Sequence, residues 1–159
     1  MNKISLTICI LCVTCSLVAQ PLGITFQEAE SKGIIIKSLD IIYLSAVHVD
    51  TTLAVFTTDE EQALVVQEYS KLMQEFGSFL KTNHFIWEKP MKCFNRIYFN
   101  QDGAIDYFIF NFRGTPEEKP TAEQELEFTR LLNLFISDYK TSLKADTKFA
   151  QCSPVTYMP

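Results

Sequence analysis

Two runs rich in aromatic and β-branched residues, Cys93 to Asn100 and Ala104 to Phe112, are joined by Asn100-Gln101-Asp102-Gly103. An Asp-Gly pair between two such runs demands a tight reversal, because glycine accepts the positive φ that a short hairpin connection requires. A β-hairpin is therefore fixed in the second half of the chain. Each side of it is bounded by a helix with its own start signal. Thr57-Thr58-Asp59-Glu60-Glu61 places a hydroxyl cap three residues ahead of an acid, and Thr121-Ala-Glu-Gln124 repeats the device. The first helix is expected to run to about Lys81, with Val65, Tyr69, Leu72, Phe76 and Phe79 on one face, and Asn83 ends it. The second carries Phe128, Leu131, Leu132, Phe135 and Tyr139 on one stripe.

A closing strand is expected at Lys148 to Cys152, which Pro154 ends or confines to a sheet edge. The order from Thr58 is then helix, strand, strand, helix, strand. This describes an α+β domain in which an antiparallel or mixed sheet of three to four strands packs with two principal amphipathic helices. A strand-helix-strand crossover makes its flanking strands parallel. Ahead of it, residues 20–57 read as a helical extension: a short helix from Phe26 to Lys32 stopped by Gly33, then a helix capped by Ser38 with Leu39, Ile42, Tyr43, Ala46 and Val47 on one face. Leu53 to Phe56 reads as a brief extended run.

Before that extension stands a leader. Met1-Asn-Lys3 is a positive start, Ile4 to Val18 is free of charge and apolar, and Ala19 suits the residue before a cut. The apolar run falls short of the roughly 20 residues that span a bilayer comfortably. Residues 1–19 are thus expected to be a secretory signal peptide, the protein being periplasmic or secreted. Leu17 is large for its place near the cut, so the alternative is an uncleaved anchor at residues 4–19, the one route by which the chain would meet a membrane. Cleavage leaves Gln20 to Pro159 with a formal charge of −6, against −5 for all 159 residues. That balance repels polyphosphate, and no basic stripe offsets it, so nucleic acid is not an expected partner. With 47% hydrophobic residues the chain has enough apolar content for a single core without a metal to hold it.

Cleavage also removes Cys9, Cys12 and Cys15, leaving Cys93 and Cys152. Two cysteines in an oxidising compartment suggest one disulfide, and an antiparallel pairing of the first and third strands would bring them side by side. A reactive thiol and two separate buried thiols are the alternatives.

Residues of chemical interest are few. His48 with Asp50 and Asp59, and His84 with Trp87 and Glu88, read as loop residues. Two histidines without zinc-ligand spacing predict no metal, and five scattered glycines predict no nucleotide cradle or other cofactor site. Asp102 is explained by its turn, and Asp106 has no second acid set opposite it for glycoside chemistry. Neither Ser nor Cys stands in a nucleophile motif. Arg96, in the middle of an aromatic strand, is expected to pair with Asp106 or stack on a ring. Because apolar residues occupy both faces of the hairpin, the face carrying Arg96, Tyr98, Tyr107 and Ile109 is the candidate interaction surface.

The stretch from about Phe94 to Tyr157, with its Asn-Gln-Asp-Gly hairpin, one amphipathic helix and closing strand, resembles the C-terminal domain of TonB and related energy-transducer proteins. The resemblance covers less than half of the chain and rests on element order; no partner-binding motif maps onto it. It implies an exported interaction module that meets another envelope protein. The Pro-rich spacer of that family is absent, and the segment from Ser38 to Leu80 reads as helical instead. The expected function is therefore binding in the cell envelope without a recognisable catalytic site. The alternatives are a carrier of a small apolar ligand held between helix and sheet, and an enzyme whose site follows none of these motifs.

Overall fold

The computed structural model describes residues 20–159, so the signal peptide expected at residues 1–19 lies outside the described residues. The chain forms β1 (Leu22–Thr25), α1 (Phe26–Ser31), α2 (Ile36–Ile42), β2 (Leu44–Ser45), α3 (Asp59–Thr82), β3 (Met91–Phe99), β4 (Ile105–Phe112), α4 (Ala122–Asp138) and β5 (Phe149–Tyr157). Short 3-10 turns at Thr51–Leu53 and Pro116–Glu118 punctuate the connections. The protein is α+β. No helix among the described residues is long and apolar enough to cross a membrane.

The locally encoded elements form for local reasons. Thr58 Oγ1 accepts from the Glu61 amide at 3.1 Å while the Glu61 carboxylate accepts from the Thr58 amide, so α3 starts on a reciprocal cap. Thr121 and Gln124 do the same for α4. In the hairpin, Gly103 holds φ at 86°, and Asn100 Oδ1 accepts from the amides of Asp102 and Ala104. A Cβ on Gly103 would lie 2.5 Å from the Leu143 carbonyl oxygen, so the turn needs glycine for space as well as for backbone angle.

The sheet has five strands in the order β1-β4-β3-β5-β2, which corrects the expected three to four. β3 is antiparallel to both β4 and β5, so β4 and β5 run parallel with β3 between them, as a crossover through α4 requires. The two additional strands come from residues 20–57. That segment carries the helices α1 and α2 and, in addition, two strands: β1 pairs parallel to β4 on one side of the sheet and β2 pairs parallel to β5 on the other. The helix expected from Ser38 instead spans Ile36–Ile42, because Tyr43 turns extended and leads into β2. Val55 and Phe56 donate to the carbonyls of Ser45 and Ala46, which holds the following loop against that edge.

Helices α3 and α4 cover one face of the sheet, where Phe76, Phe108, Phe110, Phe128, Leu131 and Phe149 are fully buried. The other face is covered over part of its length by α1 and α2, through Ile24, Ala29, Leu39 and Tyr43 packed on Tyr98, Ile109 and Ala150. Beyond that cover, Lys92, Cys152 and Thr156 are exposed.

The expected disulfide is absent: Cys93 and Cys152 are both free. β3 and β5 are antiparallel as anticipated, but the register pairs Cys93 with Val155 and Cys152 with Arg96. Side chains alternate across a pleated sheet, so an offset of three positions puts the two sulfurs on opposite faces. Cys93 is buried under the helices, where burial pushes its thiol up to about 12.

Candidate binding site

β5 is nine residues long but β2 reaches only Phe149 and Ala150, so Gln151 to Tyr157 has no strand on its outer side. The C-terminal half of α3 passes alongside this stretch. At the end of α3, Asn83 donates from Nδ2 to the Phe79 carbonyl at 2.8 Å, and His84 takes a left-handed φ of 59°. Phe85 then returns its amide to the Leu80 carbonyl, and the chain doubles back. This reversal carries Phe85, Ile86 and Trp87 beneath the helix end.

Between these elements lies an open groove of about 450 Å³. Met73, Gly77 and Leu80 line it from α3, Phe85 and Trp87 from the reversal, and Val155 and Tyr157 from β5. Ile86 and Met158, 64% and 63% exposed, also line it. Gly77 sits inside a helix, where glycine is unfavourable, and a Cβ built there meets nothing within 4 Å. The volume is thus left unfilled where an ordinary helix residue would project. Such a size and lining match small-molecule sites, which are concave and mainly apolar.

The inner wall is held rigidly. Trp87 packs edge-on against Phe85 at 4.7 Å between ring centres and contacts Phe112, Phe128 and Tyr157. Its indole N–H is buried without a hydrogen-bond partner. Tyr157 is buried, which raises its phenol well above the usual range, and its hydroxyl accepts from Asn95 Nδ2 at 3.3 Å. Asn95, itself fully buried, takes the Cys93 thiol on Oδ1 and reaches the Met73 sulfur at 3.6 Å. This polar cluster fixes Met73 and Tyr157, two of the groove's walls.

The face proposed from sequence as an interaction surface is instead largely interior. Tyr98 and Ile109 have no exposure, Tyr107 and Arg96 are partly covered, and α2 lies over them. The helix is fastened by two polar contacts. Arg96 pairs with Asp40 at 2.6 Å, and the Tyr98 hydroxyl donates to the same carboxylate. Asp106 accepts from the Tyr43 hydroxyl at 2.7 Å and pairs with Lys148 at 2.8 Å, while the Lys148 ammonium lies 5.0 Å from the centre of the Tyr43 ring. Arg96 and Asp106, expected as partners, each face a different element. Burial first, and the bond to Asp106 second, raise the Tyr43 phenol well above its usual range. It stays protonated and donates, which suits a fastening of α2 to the sheet rather than a proton relay.

His48 and Asp50 lie exposed in a loop, where Asp50 Oδ1 caps the 3-10 turn through the Thr52 amide. Asp102 is exposed in the hairpin turn. Among the described residues, no group of three His, Cys, Asp or Glu side chains is placed to hold a metal ion. From sequence, Trp87 reads as a loop residue and α3 as a core stripe, so the alternative of an apolar ligand held between helix and sheet names none of the residues that line the groove. The available signal was Gly77, an isolated glycine inside an amphipathic helix. Comparison with family models, with curated proteins and with solved structures finds no match to this chain.

Proposed function

We propose that this protein is an exported binding protein whose site is the groove between α3 and β5, and that its occupant is a small apolar ligand. The observation that carries the reading is the unfilled volume of about 450 Å³ beside Gly77, walled by aromatic and Met side chains that other contacts already fix. A preformed apolar cleft binds by removing ligand surface from water at little reorganisation cost.

The outer edge of β5 favours this over capture of another protein by strand addition. The Ala150 carbonyl accepts from Ala46, so backbone groups of alternate residues onward, Cys152, Pro154 and Thr156, face outward. Pro154 offers no N–H there, and the carbonyls of Cys152 and Pro154 already accept from the Gln151 and Ser153 side chains. Such an edge is blunted against pairing.

A second reading keeps the interaction module implied by the resemblance to TonB C-terminal domains, with another envelope protein as partner. It is favoured by Ile86 and Met158, large apolar side chains exposed at the groove. In that reading a partner's apolar side chain is the occupant. Export belongs to both readings and is tested by the mass of the protein recovered from its host, expected to begin at Gln20.

The groove is tested with the fluorescent amine N-phenylnaphthylamine. Trp87 is the single tryptophan of the chain, so energy transfer from it reports a bound probe, and a groove-filling substitution assigns that probe to this site. Saturable transfer is expected in the wild type and its loss in Gly77→Phe, with unchanged circular dichroism. Transfer that survives in the folded variant overturns the assignment.

A further inference from the structure

Independently of the groove, we propose that the outer face of α2 is a membrane-docking surface that lies on a lipid bilayer through Ile35, Ile41, Ile42 and Leu44. Of the twelve large apolar side chains exposed among the described residues, six stand between Ile35 and Leu53, so the exposed apolar surface is gathered on one segment rather than scattered. Helix α2 is apolar on both sides. Leu39 and Tyr43 are buried against the sheet with Ile36 packed beside them, while Ile35, Ile41 and Ile42 project outward, Ile41 being 78% exposed. A helix that is apolar all round is ordinarily covered on every side. The one acid of α2, Asp40, is drawn to Arg96 on the sheet, so no unpaired carboxylate of the helix stands among the exposed isoleucines.

Size and position select the bilayer as the occupant. The seven residues of α2 make a helix about 10 Å long, and four side chains on it fall well short of the roughly 800 Å² per partner that a stable protein interface buries. A fluid apolar phase needs no matching surface, and a short face sinks into it with the helix lying flat. Position points the same way. Leu22 opens β1 at the level of Tyr107, and the Tyr107 ring lies 6.4 Å from that of Tyr43, the residue between Ile42 and Leu44. The exposed face therefore stands at the end of the sheet where the chain enters from residues 1–19, which lie outside the described residues. Val18, the last residue of the apolar run from Ile4, is four residues ahead of Leu22, a reach of at most about 14 Å, so a bilayer that takes up this run lies beside α2. The face of α2 is thus a second route to a membrane, and one that outlasts a cut after Ala19.

The test is co-sedimentation with phosphatidylcholine vesicles of the chain from Gln20 to Pro159, which contains every described element. The chain is expected to partition onto the vesicles. Ile41→Gln combined with Ile42→Gln should lower the partition coefficient by about ten-fold or more, since both side chains leave water only on the bilayer. Gly77→Phe should partition like the wild type, which keeps this surface apart from the groove. Placement is read by a nitrobenzoxadiazole fluorophore on Ile41→Cys in a Cys152→Ser background, Cys93 being buried. Its emission should shift to the blue on vesicles, whereas the same label on Leu126→Cys, exposed on α4 across the sheet, should not shift. No partition in the absence of residues 1–19, partition unchanged in the isoleucine variant, or a label at Leu126→Cys that shifts as much as that at Ile41→Cys overturns the proposal. So does a dimer in solution that the isoleucine variant dissociates, because a second copy then covers the face.

Discussion

Cys93 and Cys152 occupy adjacent antiparallel strands but face opposite sides of the sheet, Cys93 opposite Val155 and Cys152 opposite Arg96. No rotation of either side chain brings the sulfurs together, because joining them requires the β3–β5 register to slip and every alternating side chain to change face. The two thiols should therefore behave independently. Cys152, exposed, should react with Ellman's reagent in the native protein. Cys93, buried with its thiol pushed up to about 12, should react only after denaturation. Intact mass without reduction is the check, and a loss of two hydrogens in the native protein would contradict this register.

Gly77 gives a prediction that separates stability from binding. It lies inside α3 with ordinary helical neighbours and with open space where its Cβ would stand. Gly77→Ala should stabilise the protein by about 0.5–1 kcal/mol through reduced unfolded-state freedom. Thermal unfolding should shift upward by about 2–4 °C. A glycine retained where alanine is more stable is the expected mark of a position kept clear for another purpose. Should Gly77→Ala destabilise the fold, the space beside the helix is not open in solution.

What could be read from the sequence and what could not divides by range of interaction. The caps Thr58–Glu61 and Thr121–Gln124, and the Asn100–Gly103 turn, are settled within five residues, and they appear where expected. β1 and β2 are four and two residues long, too short for a period to declare itself. Each is a strand only because a partner more than eighty residues away, β4 or β5, supplies its hydrogen bonds. The expected interaction surface became interior for the same reason: the cover over Tyr98 and Ile109 comes from Leu39 and Tyr43, whose docking no local pattern announces. The groove is less legible still. It results from β2 stopping at Ala150, α3 lacking a side chain at Gly77, and His84 reversing the chain, three facts from three parts of the sequence.

Asn133 holds the far edge of the sheet. Its Oδ1 accepts from the Gly23 amide at 2.9 Å and its Nδ2 donates to the Gly23 carbonyl at 2.7 Å, so one side chain does for β1 what a sixth strand would do. Asn133→Ala leaves both backbone groups without a protein partner in a buried residue, at a cost of about 1–3 kcal/mol. Gly23→Ala should cost a similar amount by another route, since its Cβ would stand 2.8 Å from the Leu132 side chain. Because both changes loosen the same contact, the double variant should lose less than the sum of the single losses in urea unfolding. Full additivity would show that Asn133 and Gly23 act on separate parts of the fold.

Glu68 makes stability depend on pH in the acid range. It is largely covered on α3, where it accepts from the Thr141 hydroxyl at 2.9 Å and from the Ser142 amide at 3.2 Å, fastening the loop before β5 to the helix. Burial works to raise its pKa, but these two donors outweigh it and hold the carboxyl below the ordinary value of 4.5. A group with a depressed folded pKa stabilises the fold above its unfolded pKa, and the contribution is lost as pH falls through the folded value. The urea midpoint should therefore decline as pH falls below about 4.5, beyond what the other carboxylates cause. Glu68→Gln retains the shape and one acceptor but carries no titratable proton, so its midpoint should be lower at pH 7 and fall less steeply below 4.5. Parallel pH profiles for the two proteins would mean that Glu68 is not held by Thr141 and Ser142 in solution.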